Sequence, residues 1–66
     1  MRRPIEAIPE LRMVVLTHAV ESDGTILPEG RSGTVVHAYR DGKHYEVEFE
    51  HPACAVTVER GDIEPA

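Results

Sequence analysis

Four histidines, a single cysteine and a row of alternating glutamates are the residues through which this 66-residue chain could do chemistry. His37, His44 and Glu46 form the first set. Two imidazoles and a carboxylate supply three ligands of a zinc site with an open position, provided one surface brings them together. The spacing of His18, His37, His44 and His51 matches no zinc motif. A cross-strand His37–Glu46 pair, contributing about 0.2–1 kcal/mol, accounts for two of these residues without a metal. Neither metal nor cofactor is expected. Cys54 with nearby His51 is the second set. A reactive thiolate needs an accessible, electropositive setting, whereas Cys54 lies among Ala53, Ala55 and Val56 and reads as a small core hydrophobe. The sequence has no Ser/His/Asp arrangement, no phosphate-binding glycine loop ahead of a helix, and no carboxylate pair with a cause for a raised pKa. The chain is read as not an enzyme.

Binding residues are easier to nominate. Glu46, Glu48 and Glu50 alternate with Tyr45, Val47 and Phe49, so a strand here puts the apolar set on one face and the acids on the other. The bland role of such a row is to keep a strand face solvated and guard it against edge pairing. The functional role is a docking stripe for a basic partner. Tyr39, Asp41 and His44 adjoin it at a turn, and an outward tyrosine beside a turn suits a binding anchor.

The elements that must position these residues follow from pattern. Met13 to Thr17 is a β-branched apolar run of strand length. His18 to Arg31 reads as one long loop of the kind that often carries binding, with Ile26 and Leu27 turned inward as an anchor. Asp41-Gly42 predicts a type I′ hairpin turn. With those two residues as the turn, Ala38 faces Tyr45, Val36 faces Val47 and Thr34 faces Phe49. On the other face Tyr39 pairs with His44, His37 with Glu46 and Val35 with Glu48. A one-residue slip would bury glutamates. Cys54 to Val58 is a fourth strand with Cys54, Val56 and Val58 inward, and Gly61-Asp62-Ile63 leads into a brief strand ending at Pro65. Pro4 and Pro9 bracket Ile5-Glu6-Ala7-Ile8, and Ile5, Ile8 and Leu11 are spaced by three. Residues 1–10 are expected to be a tail resting one or two apolar side chains on a domain spanning 11–66. Short strands, polar turns and no convincing helix predict an all-β fold, a small barrel of about five strands.

Composition sets the outer bounds. Hydrophobic residues make up 41% and the formal net charge is −5, a balance suited to a folded domain rather than a disordered tail. A chain of this size buries only about 60% of its unfolded surface. The acidic balance argues against nucleic acid, because phosphate binding relies on Lys and Arg releasing counterions. No run of 18 apolar residues is present, so no membrane span is expected. Arg2 and Arg3 precede Pro4-Ile5-Glu6 rather than an apolar core of a signal peptide. The lone cysteine cannot form an internal disulfide. A cytoplasmic location is expected.

The run Gly30-Arg31-Ser32-Gly33-Thr34-Val35-Val36, then Asp41-Gly42, then Tyr45-Glu46-Val47-Glu48-Phe49 resembles a family of short bacterial proteins with SH3-like barrels. The likeness extends from about Leu11 to Pro65, taking in Val14-x-Leu16-Thr17 and Asp62-Ile63-x-Pro65. The same plan is similar to the SH3-like domain of the nitrile hydratase β subunit and to photosystem I subunit IV. That resemblance implies a docking or subunit-assembly role with no chemistry on the barrel. Gly30-x-x-Gly33-x-Val35 also resembles the KOW motif of ribosomal and transcription proteins, but the basic surface of that motif is missing here.

The expectation is therefore a non-catalytic protein-binding module, an accessory subunit or an inhibitor- or antitoxin-like partner, docking a basic protein surface through Tyr39, Asp41, His44, Glu46, Glu48 and Glu50. A KOW-like RNA or ribosome binder is the first alternative, and a metal-binding enzyme or sensor the second. An exposed barrel edge could also self-pair into a homo-oligomer.

Overall fold

A computed structural model describes residues 7–50 and 53–66. Arg2, Arg3, Pro4, Ile5, His51 and Pro52 lie outside the described residues, and with them the expected Ile5 contact and the His51–Cys54 pairing. The fold is all-β. Its strands are β1 (Met13–Leu16), β2 (Val20–Ser22), β3 (Thr25–Leu27), β4 (Ser32–Ala38), β5 (His44–Phe49), β6 (Cys54–Glu59) and β7 (Ile63–Pro65). A single 3-10 turn, Arg60–Asp62, separates the last two. Five strands form an antiparallel sheet in the order β6-β5-β4-β1-β7, and β2 and β3 form a separate two-stranded sheet.

The alternation in β5 works as its residue types dictate. Tyr45, Val47 and Phe49 are buried, and they meet Val14 and Leu16 of β1, Val35 of β4, Val56 and Val58 of β6, and Ile63 of β7 in one apolar cluster. Full burial of each such side chain is worth about 1.5–3 kcal/mol. Ile8 also enters this cluster, and its backbone N–H donates to the Tyr45 hydroxyl at 3.2 Å. That bond satisfies the one polar atom of an otherwise apolar ring in the core. Leu11, three residues on, is 78% exposed with φ +68°, so the Ile8–Leu11 spacing does not make an apolar face. Cys54 is only partly buried and packs against the edge of the cluster.

Three expectations are corrected. The first concerns register. Near the β4–β5 turn the pairs are as expected, with Ala38 opposite Tyr45 and His37 opposite Glu46. A β-bulge between Val35 and His37 then shifts the ladder by one, placing Val35 opposite Val47, Thr34 opposite Glu48 and Gly33 opposite Phe49. Volume explains the shift. A Cβ on residue 33 would lie 2.7 Å from Val47 Cγ1 and 2.8 Å from Phe49 Cε1, so the aromatic ring fills space that only glycine leaves open. The bulge absorbs one residue and turns Val36 outward, where it is 39% exposed.

The second correction is the turn itself. Only Gly42 has positive φ there, so Asp41-Gly42 is not type I′. Tyr39 N–H donates to the His44 carbonyl at 3.0 Å and Gly42 N–H to the Tyr39 carbonyl at 3.2 Å. The connection is thus a four-residue loop, 40–43. The type I′ signature appears instead at Asp23-Gly24, with φ +50° and +79°, closing the Ser22–Thr25 pair. This gives the third correction. The stretch from His18 to Arg31 is not one loop but holds the β2–β3 hairpin, in which Leu27 is buried and Ile26 is 67% exposed.

Candidate functional site

Because β5 alternates, His44, Glu46 and Glu48 leave the sheet on the face opposite the core. Their cross-strand neighbours are set by register. Glu46 lies between His37 and Thr57, Glu48 between Thr34 and Ala55, and His44 beside Glu59. No Lys or Arg stands opposite either carboxylate, Glu46 or Glu48, in the ladder. Glu59 extends the acidic row onto β6, and sequence reading overlooked it because its partner depends on the β5–β6 register.

The nominated residues fall into three groups. Asp41 and His44 lock the loop. One Asp41 oxygen accepts from the backbone N–H of Lys43 at 2.8 Å and of His44 at 3.1 Å, and the other meets His44 Nδ1 at 2.6 Å. The Lys43 amide, followed by the His44 imidazole, lowers the Asp41 pKa from 3.8 to about 2. Tyr39 and Glu46 form the second group. A Glu46 carboxylate oxygen accepts from the Thr57 hydroxyl at 2.6 Å and from the Tyr39 hydroxyl at 3.4 Å. The Tyr39 ring stands edge-on to His37, with centroids 4.7 Å apart and planes at 88°. Glu48 and Glu50 are the third group, and both are exposed.

Glu48 and Glu50 also border a shallow groove of about 600 Å³, walled by Met13 of β1, Gly30 and Arg31, and Ser32 to Thr34 of β4. Arg31 donates to the Glu50 carbonyl at 3.1 Å, and the Thr34 hydroxyl meets Met13 Sδ at 3.3 Å. Sequence reading did not nominate this wall. Thr34 was expected inward, and its outward position follows only from the bulge.

The three described histidines, His18, His37 and His44, serve separate carboxylates. His37 Nδ1 is 3.7 Å from Glu10 Oε1, His44 pairs with Asp41, and His18 Nε2 pairs with Asp62. Among the described residues no three His, Cys, Asp or Glu side chains gather as a metal site would require. His37, His44 and Glu46 therefore do not converge. The His18–Asp62 pair belongs to a structural clasp. Thr17 N–H donates to the Asp62 carbonyl at 2.8 Å, the Thr17 hydroxyl to the Gly61 carbonyl at 2.8 Å, and Glu59 N–H to Asp62 Oδ2 at 2.9 Å. It fastens the end of β1 to the 3-10 turn.

Among the described residues no helix is long and apolar enough to cross a membrane. Fold and surface together define a small antiparallel all-β domain with an acidic outward face and a tyrosine-flanked loop at one end. Residues 10–52 match the model of the domain of unknown function DUF4926, and the chain belongs to that family. No curated protein and no solved structure matches it.

Proposed function

We propose that the chain is a non-catalytic docking module that binds a basic protein surface through the outward face of β5. The observation that carries this reading is the surroundings of Glu46 and Glu48. Their four ladder neighbours are His37, Thr57, Thr34 and Ala55, so no Lys or Arg faces these two carboxylates across the strands. Net charge −5 on 66 residues adds long-range attraction toward cationic surfaces. Tyr39, held edge-on by His37 and bonded to Glu46, supplies a rigid aromatic anchor beside the row. Asp41 and His44 contribute by fixing the loop that presents it.

The reading includes an SH3-like barrel, the plan resembled by the nitrile hydratase β-subunit domain and photosystem I subunit IV. In its support, five strands run in the order β6-β5-β4-β1-β7, and a 3-10 turn precedes the strand that returns to β1. A bacterial accessory subunit, or an inhibitor covering a basic protein in the cytoplasm, fits such a module. The test is capture of partners by the tagged chain from its host lysate at low salt, with and without nuclease. A stoichiometric basic protein that resists nuclease and elutes with salt is expected. Recovery of RNA or ribosomal proteins that vanish with nuclease would overturn the proposal.

A further inference from the structure

The two edges of the five-stranded sheet are unlike. At one edge β7 has three residues and ends in Pro65, the kind of short, proline-bearing strand that resists edge-to-edge pairing. At the other, β6 has six residues, Cys54-Ala55-Val56-Thr57-Val58-Glu59, with neither proline nor lysine, and its ladder to β5 runs without a bulge.

The hydrogen-bond alternation of an antiparallel pair shows which groups face outward along β6. Arg60 N–H donates to the Lys43 carbonyl at 2.8 Å, one step beyond the Glu59–His44 pair. Residues 54, 56 and 58 therefore share that phase and bond to β5. The N–H and C=O groups of Ala55, Thr57 and Glu59 point to the open edge. Glu59 N–H is already taken by Asp62 Oδ2. Ala55 and Thr57 have no backbone partner among the described residues.

We propose that this edge pairs with the β6 edge of a second copy, antiparallel about a two-fold axis at Val56. That register pairs Ala55 with Thr57 of the second copy and Thr57 with its Ala55, so both residues use N–H and C=O and the ladder gains four hydrogen bonds. It sets Val56 beside Val56 and Cys54 beside Val58 on the core side, all apolar. A register centred on Thr57 would instead need the Glu59 N–H that Asp62 holds. One centred on Ala55 would reach outside β6 to Ala53. Glu59, the one charged residue of β6, stays beyond the paired residues. Only Val56 among the buried core residues is as much as 6% exposed, and the second strand covers it. The two acidic faces then lie side by side on one continuous ten-stranded sheet. Each copy carries a charge of −5, so added salt favours the pair by screening repulsion, opposite to its effect on docking a cation.

Sedimentation equilibrium of the full chain over a concentration series tests this, together with amide exchange on the same samples. The weight-average mass is expected to rise from 7.3 kDa toward twice that value, further at higher salt. Ala55 and Thr57 amides should become protected in parallel. Ala55→Pro removes an N–H that β5 does not use, and should hold the chain monomeric with an unchanged far-ultraviolet spectrum. If that variant fails to fold, the wild-type exchange pattern decides. A mass fixed at 7.3 kDa, or Ala55 and Thr57 exchanging as freely in concentrated as in dilute samples, would overturn the proposal. So would a folded Ala55→Pro chain that still dimerises.

Discussion

Asp41 fixes the β4–β5 loop by accepting two backbone N–H groups and one imidazole nitrogen, and it does so best when ionised. Its folded pKa of about 2 lies below the ordinary 3.8, with the Lys43 amide the largest cause. A depressed carboxylate pKa stabilises the fold fully above the unfolded value, and that contribution is lost as pH falls through the folded one. Urea denaturation of the wild type at stepped pH should show stability falling between about pH 4 and pH 2. Asp41→Asn keeps the shape of the side chain but not its charge, and its curve should be flatter over the same window. Parallel curves would remove Asp41 from the account of the loop. Gly33 is set by space rather than charge, since an added Cβ would meet Val47 and Phe49 at under 3 Å. Gly33→Ala should destabilise the chain by about 1–3 kcal/mol through overpacking, measured by the same denaturation. A neutral result would mean that the Phe49 ring readily moves aside.

Strand β4 carries the largest departure from simple alternation. Its bulge buries Val35 completely and leaves Val36 39% exposed, whereas an unbroken register from the turn would reverse the two. Val35→Ala should therefore cost about 1–3 kcal/mol, and Val36→Ala no more than about 0.5 kcal/mol. Chemical denaturation of the pair settles the register, because the reversed order of losses would contradict the bulge. Strand β5 was legible in the sequence because its alternation is strict and Asp-Gly marks the turn nearby. The inward set Tyr45, Val47 and Phe49 needed no further information. The bulge was not legible. It arises from the fit of Phe49 over Gly33, a contact sixteen residues apart that no local pattern announces. The hairpin at Asp23-Gly24 carried the same dipeptide signal as Asp41-Gly42, but its three-residue strands are too short for periodicity to register. Of the candidate site, the acidic row was visible in β5 alone, while Glu59 and the groove wall depended on cross-strand pairing.

At the scale of the molecule, charge and shape divide the surface. The 12 acidic residues outnumber the 7 basic ones, and the ladder keeps Lys and Arg away from the positions opposite Glu46 and Glu48. Glu46 is tied to Thr57 and Tyr39, so changing it disturbs packing as well as charge. Glu48 and Glu50 are exposed and border the groove, which makes them the cleaner test of the face. The decisive measurement is the affinity of the captured partner for wild type and for the double variant Glu48→Lys with Glu50→Lys, by titration calorimetry at low and high salt. Docking through the acidic face predicts binding weakened about tenfold or more at low salt, a loss of about 1.4 kcal/mol, with the difference narrowing as salt rises and the variant's far-ultraviolet spectrum unchanged. Equal affinity of the two chains at low salt would contradict it and place the interface elsewhere on the domain.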